Sequence, residues 1–437
     1  MGKDVSLSAL LSHGVPAPER WMVRKILASI GNVPFEFMLG RNLRVSPGDT
    51  TPMGKLKFQN WRALFALMLD PELGFGEGYM AGKIDVDGDL VQMLEAVYRG
   101  MAKANRPSYY GELVSKWMEL WQNNSLRGSR HNIHAHYDLG NDFYKLWLDE
   151  QMVYTCAYFP TPNASLEEAQ TAKMDHICRK LRLQRGETVA EAGCGWGAMA
   201  LHMARHYGVN VTAFNISREQ ISYARRRAAA EGLTDRVDFI EDDYRNISGR
   251  FDVFLSVGML EHVGKRHYPE FSSVVRRAIG DSGRGLLHFI GRNSPAPFSR
   301  WIRKRVFPGA YAPSLREALT ILEQDDYSPL DVENLRLHYA KTIEHWLHRF
   351  EQSSEEIASM YDDAFVRAWR LYLAGSQVGF LTGTLQLFQV VFAGQACRWM
   401  PWTRADLYNP VLRKGQAGRE EGTQTQERTQ SWMPATS

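Results

Sequence analysis

The chain has 437 residues, 44% of them hydrophobic, 23% charged and 11% aromatic, a globular composition with enough apolar material for more than one core. Its 52 Lys and Arg stand against 49 Asp and Glu, a net charge of +3, which excludes a chain-wide basic field for nucleic acid. Four cysteines with no Cys-x-x-Cys pair exclude a disulfide framework and point to a reducing compartment, and no apolar run approaches the roughly 18 residues that span a bilayer. The first residues lack the basic-then-apolar pattern of a signal peptide. The chain therefore reads as cytoplasmic, with any membrane contact peripheral.

Taken in order, residues 1–122 mix short apolar runs with a dense apolar stretch over 61–69 that predicts a buried helix, together a small α+β domain. Asp85-Val86-Asp87-Gly88-Asp89 opens like a calcium loop. Its sixth position is Leu90 where Gly belongs and its twelfth is Ala96 where Glu belongs, so an ordinary turn is expected. After a helical pattern carrying Trp117, Leu120 and Trp121, residues 123–135 are polar and rich in Asn, Ser and Arg, a linker. His131, His134 and His136 are dense enough to suggest a metal, but no acidic or cysteine partner completes a ligand set. From 136 to 414 strands and helices alternate as in a doubly wound α/β sheet, and 415–437 has almost no apolar content and reads as a disordered tail.

The centre of the chain reads most clearly. Ser165-Leu166-Glu167-Glu168 is a capping box, followed by a helical face of Ala169, Ala172, Ile177 and Leu181. Strands are expected over 188–192, 209–214, 237–240 and 251–257, and helices over 198–207 and 220–232. That alternation implies parallel strands with right-handed crossovers. Between the first strand and helix lies Glu191-Ala192-Gly193-Cys194-Gly195-Trp196-Gly197, where glycines let backbone approach a ligand. The spacing is not that of the dinucleotide fingerprint, because position 198 is Ala, and no Gly-Lys-Ser/Thr follows, so a P-loop is excluded. An acidic residue before the glycines suits an ammonium and a polar residue ending the second strand suits a ribose. S-adenosylmethionine has both groups and no phosphate. The alternative is a tight structural turn.

Several segments together resemble the cyclopropane fatty acid synthase family and its mycolic acid relatives. They are His136-Tyr137-Asp138-Leu139-Gly140-Asn141-Asp142-Phe143-Tyr144, Tyr154-Thr155-Cys156-Ala157-Tyr158-Phe159, the Gly-Cys-Gly-Trp-Gly turn, Ser256-Val257-Gly258-Met259-Leu260-Glu261-His262-Val263-Gly264 and Leu286-Leu287-His288-Phe289-Ile290-Gly291, in family order. The stretch over 73–80 also looks like the small domain that precedes catalysis in bacterial phospholipid enzymes. The resemblance implies a Rossmann-like S-adenosylmethionine-dependent methyltransferase domain. It further implies transfer of a methyl to the cis double bond of a phospholipid acyl chain, then ring closure as a bound bicarbonate takes a proton. The implied bicarbonate ligands are Cys156 and Ile290 through backbone, Glu261, His288 and Tyr339. The implied cofactor residues are Tyr154 and Thr155 at the methionine part, Glu191, Gly193, Cys194 and Gly195 at the amino acid and ribose, Asn215 and Gln220 at the ribose, and Asp243 with Tyr244 at the adenine.

These residue types suit that chemistry on their own terms. An isolated alkene is a feeble nucleophile, so it must be held in line with the methyl and water must be excluded. A small buried anion stabilises the developing cation and serves as base. Tyr158, Phe159 and Phe289 are candidates for cation-π contact, or plain core. Each site residue has a bland alternative: Glu261 and His262 could cap a helix near Lys265, and His288 could be a core histidine.

Three departures from the family stand out: Asn215 and Glu191 replace the usual Thr and Asp, and Ser376 stands where many relatives carry Cys. Arg300-Trp301-Ile302-Arg303-Lys304-Arg305-Val306-Phe307 interleaves base and aromatic, which suits either an anionic lipid surface or a solvated face. The expected partner is unsaturated phospholipid in the membrane surface, met from the inner membrane face; nucleic acid is not expected, and a homodimer is compatible. Competing readings are a methyltransferase that leaves a methylene or methyl branch on the same alkene, and a membrane-associated cofactor-binding protein without turnover.

Overall fold

The computed structural model describes residues 21–23, 25–26, 33–40, 43–45, 51–103, 139–398 and 402–408. The linker expected at 123–135, the helix around Trp117 and Trp121, the histidines at 131, 134 and 136 and the tail from 415 lie outside the described residues. Residues 1–398 form one compact unit; a second unit, from 399 on, includes the short helix Ala405–Tyr408.

Near the N-terminus, β1 (Glu36–Leu39), β2 (Leu43–Val45), β3 (Lys55–Phe58) and β4 (Ile84–Asp87) make a sheet ordered β2-β1-β3-β4. Alternation along β1 and β3 buries Phe37, Leu39, Leu56 and Phe58 on one face. Helix α1 has the expected bounds, Trp61–Leu69, and α2 (Pro71–Met80) follows at once. Asn60 and Asp70 cap them by accepting from the backbone N–H groups of Ala63 and Leu73, and Pro71 begins α2 where no donor is required. The carboxylates over 85–89 all have structural partners: Asp85 receives Arg367, Asp87 pairs with Lys57 at 2.9 Å, and Asp89 caps α3 (Leu90–Lys103) through Val91 and Gln92.

The larger part begins with α4 (Asn141–Lys145) and α5 (Leu166–Leu181), whose Ser165–Glu168 capping box is formed in both directions. A seven-stranded sheet follows, ordered β10-β11-β9-β8-β5-β6-β7. Its parallel strands alternate with helices: β5 (Thr188–Ala192), α6 (Ala198–Tyr207), β6 (Asn210–Asn215), α7 (Arg218–Ala230), β7 (Val237–Glu241), β8 (Val253–Val257), α8 (Leu260–Val263), α9 (Tyr268–Ile279) and β9 (Arg284–Gly291). The fourth expected strand starts two residues late because Phe251 and Asp252 are tied to Ala278 and Thr188 by their N–H groups. Helix α7 starts two residues early, since Ser217 caps it.

After β9 come α10 (Arg300–Arg305), α11 (Leu315–Glu323), β10 (Ser328–Asn334), α12 (Arg336–Gln352), α13 (Ser354–Met360), α14 (Asp363–Thr382) and β11 (Gln386–Ala393). Strand β11 runs antiparallel to both β9 and β10, and all eight of its residues are buried.

The basic run at 300–307 is a mixed face: Trp301 is buried, while the side chains of Arg300 and Lys304 are more than half exposed and hold acidic partners. Arg300 pairs with Asp70 and donates its N–H to Glu72, while Lys304 and Arg305 both reach Glu77, Arg305 at 2.8 Å. Trp301 is 4% exposed and lies so close to α2 that a Cβ on Gly76 would stand 2.2 Å from its ring. The acidic partners Glu72 and Glu77 lie 228 residues away in sequence, beyond the reach of a local reading. Arg367 on α14 adds a second clasp: it donates to the carbonyls of Tyr79 and Ile84 and stacks 4.2 Å from the Tyr79 ring.

Burial, not the exposed ion pairs, should carry this docking. Trp301→Ala is expected to lose roughly 3–5 kcal/mol in a denaturant titration, whereas Glu77→Gln, which removes half-exposed pairs, should lose about 1 kcal/mol or less. Equal losses in the two variants would show that the charges hold the helices together.

Candidate active site

The C-terminal ends of β5, β6, β8 and β9 converge on one side of the sheet, as they must in a doubly wound fold. After β5 the chain turns sharply, with Gly193 and Cys194 donating their N–H groups to the carbonyl of Phe214. Two glycines of the turn serve different ends. Gly197 has φ of +86° and a Cβ there would sit 2.6 Å from Phe239, so it allows α6 to pack. Gly195 has φ of +52° and nothing within 4 Å of a Cβ position, so its open side is available to a ligand. Asn215, ending β6, donates to the carbonyl of Gly195 at 3.3 Å and to Gln220 Oε1 at 2.7 Å, which gathers three of the expected cofactor residues.

Beneath the turn Glu191 is 2% exposed, and its Oε2 has no hydrogen-bond partner among the described residues. Burial pushes its pKa up to about 8, against the pull of Lys173. Lys173, on α5, is itself buried; loss of hydration pushes its ammonium down to about 8, opposed by Asp149, Cys156 and Glu191. Its Nζ donates to Thr155 Oγ1 at 3.1 Å, and the Thr155 methyl packs where a Cβ of Gly258 would lie. Lys173 therefore ties together the segments carrying Glu191 and Thr155. Sequence reasoning missed it, although it falls four residues after Ala169 and four before Ile177, on the apolar face of its helix.

Asp243 and Tyr244 follow β7 on the same side of the sheet. The Asp243 carboxylate accepts from Arg245 N–H and so caps the turn Tyr244–Asn246, while the Tyr244 ring meets Phe271 edge-on at 5.4 Å. Tyr154 shares a 2.7 Å hydrogen bond with Tyr372 of α14. Its ring lies 5.2 Å from Trp147 and 5.3 Å from Trp346. The aromatic wall continues from Tyr372 to Phe307 and on to His262, the neighbour of Glu261.

Glu261 is 4% exposed. Its Oε1 accepts from the N–H of Ile290 at 2.5 Å, its Oε2 has no partner among the described residues, and burial pushes its pKa up to about 7. The Ile290 N–H thus serves the carboxylate, where the sequence reading gave it to the anion. His288 shares a face of β9 with Ile290; its Nδ1 meets Gln389 and its Nε2 is buried without a partner among the described residues. Cys156 is fully buried, its thiol donates to the carbonyl of Ala157, and burial pushes its pKa far up, so any contact with an anion falls to its backbone. Tyr339, on α12, packs with its ring tilted 4.5 Å from that of Phe380 and meets Trp346 edge-on. Ala157 N–H donates to Thr342 Oγ1 at 3.0 Å, which holds the Cys156 segment to that helix.

The three aromatics read as cation-stabilising candidates or plain core all have ring partners within the protein. Phe289 points to the opposite face of β9 from His288 and packs on Phe388. Tyr158 is sandwiched between His176 at 4.3 Å and His338 at 4.9 Å, and Phe159 stacks on His345. Tyr154, Trp346 and Tyr372, reached through packing of distant helices, form the wall. Ser376 is half-buried on α14, one turn from Tyr372.

A sheet of this order, parallel from β9 to β7 and antiparallel at β11, with a glycine turn after its first strand and polar residues ending the second, is the Rossmann-like fold of S-adenosylmethionine-dependent methyltransferases. The chain belongs to the mycolic acid cyclopropane synthetase family, whose description matches residues 124–390. A second match, over 22–106, is to a domain of unknown function. The chain is 36% identical over 344 residues to a probable fatty acid methyltransferase of Pseudomonas putida, covering 76% of this chain and 86% of that one. It is 35% identical over 329 residues to the cyclopropane-fatty-acyl-phospholipid synthase of Escherichia coli strain K12, covering 75% and 84%. The crystal structure of a mycolic acid cyclopropane synthase complexed with SAH and CTAB superposes with a TM-score of 0.58 at 28% identity, covering 60% of this chain and 97% of that one. At family level the protein is an enzyme of S-adenosylmethionine-dependent one-carbon transfer to a lipid alkene.

The buried carboxylate of Glu191 gives a pH-dependent expectation. Its raised pKa keeps it protonated in the empty protein below about pH 8, and a cationic ammonium beside it favours the ionised form. Cofactor binding near pH 7 should release a proton, visible in titration calorimetry as a dependence on buffer ionisation enthalpy, and affinity should rise as pH climbs toward about 8. Glu191→Gln should abolish the release and weaken binding about tenfold. Release persisting in that variant would assign the proton elsewhere.

Proposed function

We propose that the protein is a cyclopropane-fatty-acyl-phospholipid synthase that works at the membrane surface on unsaturated acyl chains, with bicarbonate as the base. The observation that carries this reading is the pair of buried atoms Glu261 Oε2, on the short helix that follows β8, and His288 Nε2, on β9 beside the last residue of β8, both without partners among the described residues. An orphaned buried polar atom costs about 1–3 kcal/mol, so such a pair is best understood as prepared for a small polar ligand. A bicarbonate fits the donor set: Glu261 accepts from its O–H, while His288 and Tyr339 donate to its oxygens.

When bound, S-adenosylmethionine supplies the electrophilic methyl and bicarbonate the base. The protein's residues do the rest. Asn215 and Gln220 position the ribose, Glu191 the ammonium, and Asp243 with Tyr244 the adenine. Tyr154, Trp346 and Tyr372 face the reacting centre with aromatic surface, which excludes water and favours positive charge on the alkene carbon. Glu261, held by the Ile290 N–H, orients the anion so that the proton leaves from the transferred methyl and the ring closes. A substrate anchored in a bilayer requires peripheral contact with that surface, and no helix among the described residues is long and apolar enough to cross it.

The test is to incubate the protein with labelled cofactor and unsaturated phospholipid vesicles and to record proton NMR of the extracted lipid. Cyclopropane signals upfield of the methyl region are expected, with a rate that falls when dissolved carbonate is removed. Vinyl protons or a methyl branch would favour a fatty acid methyltransferase, the activity named for the Pseudomonas putida relative. Glu261→Gln should lower turnover by about 10²–10³ with cofactor affinity unchanged; equal losses in both would move Glu261 out of the anion site.

A further inference from the structure

Gln389 lies on β11 directly across from His288 on β9, and across from Glu333 on β10. Cross-strand partners share a face, so three polar side chains form a row across the sheet below the candidate anion site. Two of them meet: Gln389 Nε2 stands 3.1 Å from His288 Nδ1, and both residues are buried, Gln389 completely. The Oε1 of Gln389 has no partner among the described residues. An apolar residue would fill that place, between Phe388 and Val390, without the desolvation cost of about 1–3 kcal/mol for an unsatisfied amide oxygen. The amide therefore answers a need at His288.

An amide NH2 only donates, so Nδ1 of His288 must accept, and a neutral imidazole that accepts at Nδ1 carries its hydrogen on Nε2. The neutral ring is the relevant form, because burial and the nearby ammonium groups of Lys173 and Lys180 hold the His288 pKa well below its ordinary value, with only Glu333 opposing. We propose that Gln389 is a positioning residue that fixes His288 as the Nε2–H tautomer, so that the ring donates into the anion site. The proposal rests on the bicarbonate reading above. With Glu261 Oε2 already placed to accept from the bicarbonate O–H, a bare Nε2 lone pair would oppose a negative oxygen, whereas Nε2–H completes the donor set. The reversed amide, with Oε1 toward His288, would put the hydrogen on Nδ1 and create that repulsion.

The experiment combines a spectroscopic and a kinetic arm. In protein labelled with ¹⁵N-histidine, the His288 ring signals, assigned by their loss in His288→Gln, should show a protonated Nε2 and an unprotonated Nδ1. Gln389→Glu places an acceptor at Nδ1 and should reverse that pattern, and Gln389→Met, which offers neither group, should give a mixture. In vesicle assays Gln389→Glu should raise the half-saturating bicarbonate concentration at least about tenfold, the size of one charge-assisted hydrogen bond, while S-adenosylmethionine affinity stays within about twofold. An Nδ1–H ring in the parent protein, or a tautomer that does not change in Gln389→Glu, overturns the proposal. So does a loss of cofactor affinity or stability in Gln389→Met with the bicarbonate requirement unmoved, which marks a merely structural residue. A parent rate indifferent to bicarbonate would instead remove the anion reading, and the ring signals alone would then decide whether Gln389 sets the tautomer.

Discussion

Burial of polar groups at the strand ends is the constraint on which the rest of the structure depends. Chemistry that passes through a cation on carbon needs a dry site, and a dry site gives every polar atom a choice between a partner and a penalty. Most find partners within the protein: Lys173 finds Thr155, Asn215 finds Gly195 and Gln220, and Tyr154 finds Tyr372. Among those without a partner among the described residues are atoms of Glu191, Glu261 and His288, which stand where ligands are expected. The arrangement of satisfied groups thereby outlines the unsatisfied ones, and rigidity in the first set fixes the aim of the second.

The parts legible in the sequence were those decided locally. The helix at Trp61–Leu69, the capping box at Ser165 and Glu168, the strand Thr188–Ala192 and the helix Ala198–Tyr207 stand where pattern and turn chemistry put them, because apolar periodicity and caps act within a few residues. Glu261 and His288 entered as candidates through their motifs, and both carry a buried atom without a partner among the described residues. What sequence pattern could not reach were partners set by packing. Gln389 meets a histidine 101 residues earlier, Arg367 grips Tyr79 across 288 residues, and the aromatic wall is assembled from four separate segments. Tyr158, Phe159 and Phe289 illustrate the same limit: composition supplied aromatic candidates, but their ring partners, two of them histidines of distant segments, were set by packing.

Lys173 shows how a charge can be read from pattern when its position is taken seriously. A lysine amid Ala169 and Ile177 on one helical face must either snorkel outward or carry its ammonium into the interior. Here it goes inward, where Thr155 receives it and two carboxylates, Asp149 and Glu191, lie within electrostatic reach. That inward turn couples the helix preceding the Rossmann-like core to the cofactor turn itself.

The docking of α10 on α2 carries a consequence for modular descent. The tryptophan and bases of α10 are shaped for a neighbour supplied by residues 70–77 of the same chain, and the segment leads directly to Phe307 beside His262 and to Tyr311, whose N–H donates to the carbonyl of Glu261. A shorter enzyme built only on the methyltransferase core would leave that tryptophan facing water and those bases without counter-charges. Gaining or shedding the N-terminal part in this family is thus not a matter of attaching or removing a tail. It requires rewriting a helix packed on that part, and with it the loop whose Tyr311 N–H holds the candidate carboxylate residue Glu261.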